Sequence, residues 1–196
     1  MHSFFDKSYR TPLWLKNKLS RRHLLKSAAG VSAVAGLGRF AFASPQVLAK
    51  ITQTDPWQTL DQVLAHLLPS SDSGPGASEI QATNYLYQTI KSQPIGAAEI
   101  SFIYKGVGWL NGYSQSQKSK AFVALTTEEK EQILRAISSS RAGENWLNTL
   151  INYLYEAMLS PPVYGGNPNG IGWRWLNHQA GFPLPKTGQR YYEIPG

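Results

Sequence analysis

The chain has 196 residues with 7 Phe, 6 Trp, 10 Tyr, no Cys and a formal net charge of +7. That length suits one domain with or without an appendage, and 42% apolar residues exclude a disordered chain. The missing cysteines exclude disulfide frameworks, thiolate-held zinc or iron–sulfur centres, c-type haem attachment and thiol nucleophiles. A basic balance suggests nucleic acid or an anionic membrane only where the charge lies on the folded surface.

The first element, residues 1–43, holds all of the excess. Lys7, Arg10, Lys16, Lys18, Arg21, Arg22, Lys26 and Arg39 precede Ser44, with Asp6 as the only acidic residue among them. The remaining 153 residues carry 11 basic and 11 acidic side chains and are neutral, so no nucleic-acid partner is expected. A basic segment, an apolar run and small residues before a cut form the layout of an export signal. Ser20-Arg21-Arg22-His23-Leu24-Leu25-Lys26 resembles the twin-arginine consensus, with Leu24 where Phe is usual. Residues 27–42 are too short and too weakly apolar for a membrane span, which needs roughly 20 apolar residues. Ala41-Phe42-Ala43 predicts cleavage before Ser44. The competing readings are a basic helix lying on a membrane and an uncleaved anchor; the signal reading expects export from a bacterial cytoplasm through the twin-arginine translocase.

Residues 44–54 read as a linker, and one helical domain is expected over 55–196. Asp55 as N-cap and Pro56 at the first helical position open a helix carried by Trp57, Leu60, Leu64, Leu67 and Leu68 until Pro69. Ser70 to Ser78 is a loop. Ile80, Thr83, Tyr87 and Ile90 mark a second helix ending near Pro94, and Ile100, Ile103, Val107 and Leu110 a third over 97–113, loosened by Gly106 and Gly108. Thr126 and Glu129 form a capping box ahead of Ile133, Leu134 and Ile137. A fifth helix runs from about Glu144 to Leu159, stopped by Pro161-Pro162. No alternating β-branched run competes, so the fold class is mainly α, with about five helices. Residues 161–196 are rich in Gly and Pro yet hold Tyr164, Trp173, Trp175, Phe182, Tyr191 and Tyr192. So much aromatic surface has to pack on the helices or on a partner. Charged residues make up about 14% of 44–196 against roughly 25% in ordinary domains, as expected of a chain with a large protein contact.

The twin-arginine route carries folded proteins, commonly with a cofactor already inserted. Yet Gly74-x-Gly76 and Gly106-x-Gly108 lack the strand-to-helix context of a dinucleotide site, and there is no P-loop. His66 and His178 lie far apart, and His66 in its run of leucines reads as a packed helix residue rather than a ligand. Glu128, Glu129 and Glu131 suit a helix start better than acid–base work. No nucleophile elbow is present. No catalytic, cofactor-binding or metal residue is therefore expected, and the chain is expected to travel with another that carries a cofactor.

Phe122-Val123-Ala124-Leu125-Thr126-Thr127-Glu128-Glu129, then Ser160-Pro161-Pro162-Val163-Tyr164-Gly165-Gly166-Asn167 with Gly172-Trp173, resemble the gluconate 2-dehydrogenase subunit 3 family over about residues 55–185. The resemblance implies a noncatalytic small subunit beside a large FAD-dependent dehydrogenase of sugars, polyols or sugar acids, often with a multihaem cytochrome c. FAD, and haem c where that subunit exists, would sit on the partners. The flavoprotein would lack a signal and be escorted by this chain to the periplasm, held at the inner membrane through the complex. Tyr164, Gly165, Gly166, Asn167, Gly172, Trp173 and Trp175 are the candidate interface; a structural turn is the competing reading for Tyr164–Asn167, and a phosphate cradle at Gly165-Gly166 a weaker one. The rival to the escort reading is a stand-alone periplasmic binding module or enzyme with an aromatic sugar site.

Overall fold

The computed structural model describes residues 3–18 and 49–194. The export motif (Ser20, Arg21, Arg22, Leu24, Leu25, Lys26) and the expected cut at Ala41, Ala43 and Ser44 lie outside the described residues. The helices are α1 (Leu13–Lys18), α2 (Trp57–Leu67), α3 (Ala82–Ser92), α4 (Ala97–Lys118), α5 (Thr127–Ser138), α6 (Arg141–Leu159) and α7 (Ile171–Trp175). Short 3-10 turns occupy Phe122–Ala124, Pro162–Tyr164 and Pro168–Gly170, and the one β-bridge among the described residues pairs Ser71 with Gly74. The chain is mainly α, as the periodicity predicts. No helix among the described residues is long and apolar enough to cross a membrane.

Local chemistry explains the starts. Thr126 Oγ1 accepts from Glu129 N at 3.2 Å while Glu129 Oε2 accepts from Thr126 N at 3.0 Å, which is the predicted capping box. Ser140 Oγ accepts from Gly143 N at 3.0 Å, so α6 begins three residues before Glu144. Asp55 caps α2 from further out than predicted: its Oδ1 accepts from Thr59 N at 3.1 Å and from Thr59 Oγ1 at 2.6 Å.

Helix α6 is the hub, packed against α2, α3, α4, α5 and α7. Trp146, Leu150, Leu154 and Ala157 face inward from it, and Leu60, Leu86, Ile103, Leu110 and Ile137 close around them, all 4% exposed or less. Each such buried large side chain contributes about 1.5–3 kcal/mol relative to exposure. At Gly106 a Cβ would overlap the Trp146 indole, whose Nε1 donates to Ile103 O at 3.1 Å. The glycine thus admits a tryptophan against the helix backbone, and α4 runs on to Lys118 instead of loosening there.

Two segments depart from the predicted organisation. Residues 49–51 of the linker are helical and Ile51 packs on the core. Residues 3–18, assigned by the sequence to the signal, are part of the core itself: Phe4 and Leu15 are buried.

Candidate functional site

The groups considered for chemistry are held in fold-stabilising pairs. His66 Nε2 lies 2.7 Å from Glu131 Oε2, and this hydrogen bond leads the effects that hold the Glu131 carboxyl below the ordinary range; Arg135 pairs with its other oxygen. Glu129 serves the cap, and the carboxyl of Glu128 is lowered by the backbone N–H at the helix start and then by the Thr126 hydroxyl. Among the described residues no group of three or more His, Cys, Asp or Glu is arranged to hold a metal ion.

Sequence reasoning did not single out the polar cluster between α3, α4 and α6, in which Tyr85, Glu99 and Tyr153 are buried and Glu156 is exposed. Tyr153 donates to Glu99 Oε1 at 2.7 Å, and Tyr85 donates to Glu156 Oε2 at 3.2 Å. Burial first, and then the neighbouring carboxylate, push both tyrosines above their ordinary value. A raised folded-state value means that the neutral hydroxyl is what the fold binds. Its contribution is complete below about pH 10 and lost as pH rises beyond that. Helical ellipticity is therefore expected to fall over the same alkaline range in which absorbance near 295 nm reports tyrosinate. Tyrosinate formation by every tyrosine with full ellipticity retained would contradict this assignment.

The glycine-rich loop after α6 is a latch built from the inside. Asn167, 0% exposed, donates through its backbone N to Ile80 O at 2.9 Å and through Nδ2 to Ser160 O at 3.1 Å, and its Oδ1 accepts from Gly172 N at 2.8 Å. One residue thereby ties the chain ahead of α3, the end of α6 and the start of α7. Gly165 has φ of +95°, a region that favours glycine, and its carbonyl accepts from Asn84 Nδ2 at 2.7 Å. A Cβ at Gly166 would lie 2.6 Å from Ala157 O, and one at Gly172 would lie 2.5 Å from Met158 O. Gly165, Gly166, Asn167 and Gly172 are therefore buried within the chain and offer no contact surface, in keeping with the structural-turn reading of the loop.

The aromatic members of the candidate interface behave differently. Trp173 and Tyr164 are half-buried; Trp173 Nε1 donates to Leu159 O at 2.7 Å, and Tyr164 Oη accepts from Tyr191 N at 3.1 Å. Trp175 donates from Nε1 to Ser73 O and lies against Gly74, yet remains 43% exposed. It belongs to a larger group. Of the ten exposed large apolar side chains among the described residues, eight come from Tyr155 onward: Tyr155, Leu159, Trp175, Leu176, Phe182, Leu184, Tyr191 and Ile194. Phe182 is 96% exposed. The end of this segment is tied down at two points: Tyr191 Oη donates to Gln93 Oε1 at 3.1 Å and Arg190 N donates to Glu193 Oε2 at 2.9 Å. Eight exposed large apolar side chains are more than a folded surface ordinarily leaves in water.

A model of the twin-arginine translocation pathway signal sequence matches residues 18–38, which makes this a chain exported from the cytoplasm by that route. The model of gluconate 2-dehydrogenase subunit 3 matches residues 54–181, well over half the sequence. The chain belongs to the gluconate 2-dehydrogenase subunit 3 family, the small subunits of exported dehydrogenases. No curated protein and no solved structure matches it significantly.

Proposed function

We propose that this chain is the noncatalytic small subunit and export escort of a large FAD-dependent dehydrogenase that oxidises gluconate or a related sugar, polyol or sugar acid. It binds the folded flavoprotein in the cytoplasm, supplies the Arg21-Arg22 signal for both, and stays bound in the periplasm, at the membrane through the complex. FAD sits on the partner, as does haem c where a cytochrome subunit completes the assembly. The observation that carries the reading is the strip of eight exposed large apolar side chains between Tyr155 and Ile194, on a chain with an export signal. Such a strip fits a lasting contact, of the class that buries upwards of about 2,000 Å² in total.

Purification of the tagged full chain from its own cells tests the proposal. Flavin and gluconate- or polyol-dependent dye reduction are expected to co-purify with it. The triple change Trp175→Ser, Phe182→Ser, Leu184→Ser is expected to lower both at least about tenfold, because aromatic anchors dominate such contacts. A monomeric wild-type chain that itself binds or converts a sugar would establish the rival reading.

A further inference from the structure

The leader ahead of the export motif is seated in a groove of the folded domain. Phe4 and Leu15 are 2% and 1% exposed. The Phe4 ring lies 5.3 Å from that of Trp109 on α4 and 5.5 Å from that of Trp146 on α6. Trp14 and Tyr9 both pack on Phe102, at 5.8 and 6.4 Å between ring centroids, and Phe5 packs on Tyr113 at 4.8 Å. Register is fixed by polar contacts from Asn145, itself 7% exposed: its Nδ2 donates to Tyr9 Oη at 3.3 Å and to Thr11 Oγ1 at 3.0 Å. A further apolar cleft of about 1,100 Å³ lies between the leader and α4.

We propose that the groove formed by Phe102, Trp109, Asn145 and Trp146 is a peptide-binding site whose occupant is this chain's own leader, residues 3–18, and that it keeps the leader as a noncovalent piece after cleavage between Ala43 and Ser44. Three observations support that occupant. The site takes residues from both α4 and α6, so it exists only once the domain has folded, and the leader meets it with aromatic anchors and two hydrogen bonds rather than with its basic charge. Without the leader, the edges of Phe102, Trp109 and Trp146 would face water, an apolar patch of the kind folded proteins cover. The leader also leaves the partner strip free: Asn145 and Leu159 are 14 positions apart on α6, about 21 Å along its axis. The leader groove and the exposed apolar side chains thus lie toward opposite ends of α6, a placement that stands whichever partner those side chains bind.

The test places a specific protease site at Ala43-Ser44 of the full chain, cuts the purified folded protein, and follows the 1–43 piece by size exclusion and mass spectrometry at about 1 μM, an ordinary affinity for a peptide in a groove. Co-elution of the piece with 44–196 is expected. The double change Phe4→Asp, Leu15→Asp is expected to cut the retained piece at least about tenfold, through charge placed in the apolar groove. Hydrogen exchange on the uncut wild-type chain adds a readout that needs no variant: the amides of Leu15 and Lys16, bonded to Pro12 O at 3.1 and 3.0 Å, are expected to be protected. A wild-type piece that elutes free, a cut domain that pairs with a second copy through the emptied groove, or equal retention of the double variant would overturn the proposal.

Discussion

Changing Arg21 and Arg22 together to lysine is expected to strand the precursor in the cytoplasm and to lower periplasmic flavin-linked dehydrogenase activity at least about tenfold, because a guanidinium fork and an ammonium are not interchangeable in recognition. The substitution keeps both positive charges, so it separates geometric recognition from simple attraction. It leaves the domain from residue 49 onward untouched, so the partner can still bind. The escort reading then makes a demand that a self-sufficient exported protein would not: a second, larger polypeptide must accumulate inside along with this one. Fractionation with activity staining measures both. Normal periplasmic dehydrogenase in the double variant would remove the escort role while leaving the family membership intact.

The largest loss of stability is expected from Trp146→Ala, at about 3–5 kcal/mol, the range for deleting a buried large aromatic side chain. Trp146 is 0% exposed, fills the notch at Gly106, donates to Ile103 O and supports the Phe4 ring. Its removal empties one cavity between α4 and α6 and also loosens the leader. Trp146→Phe keeps a ring but loses the indole donor, and it should cost clearly less. Urea unfolding of the full chain measures both, and the predicted loss is a large share of the roughly 5–15 kcal/mol that holds an ordinary domain together. A midpoint unchanged in Trp146→Ala would mean that the α4–α6 contact is not where the core is closed.

Helix positions were legible wherever a stripe or cap was written locally. The Thr126–Glu129 box and the stripe through Leu147, Leu150, Leu154 and Met158 need only neighbours three and four residues apart. The last turn of α4 was not legible, because residues 114–118 (Ser-Gln-Ser-Gln-Lys) carry no apolar stripe, and Gly106 read as loosening a helix whose notch Trp146, 40 residues downstream, fills. The family was legible from residues 160–173, while their placement was not: the same Gly-Gly-Asn that carries the resemblance is internal, and the exposed apolar side chains come largely from Trp175 and the residues after it. The packing of the leader was not legible for a different reason. Its lysines and arginines match the basic end of a signal, yet they are interleaved with Phe4, Phe5, Tyr9, Leu13, Trp14 and Leu15, six large apolar or aromatic residues in the first fifteen. Such a density was the available clue that the segment has a place to pack.

Helix α6 carries Asn145 near its start and Leu159 at its end, with five other helices fastened along the span. One inserted residue at its middle would turn one end against the other by about 100° and lengthen the axis by about 1.5 Å. Its residue count sets the angular phase between the leader groove and the exposed side chains of Tyr155 and Leu159. The helix works as a spline as well as a core element.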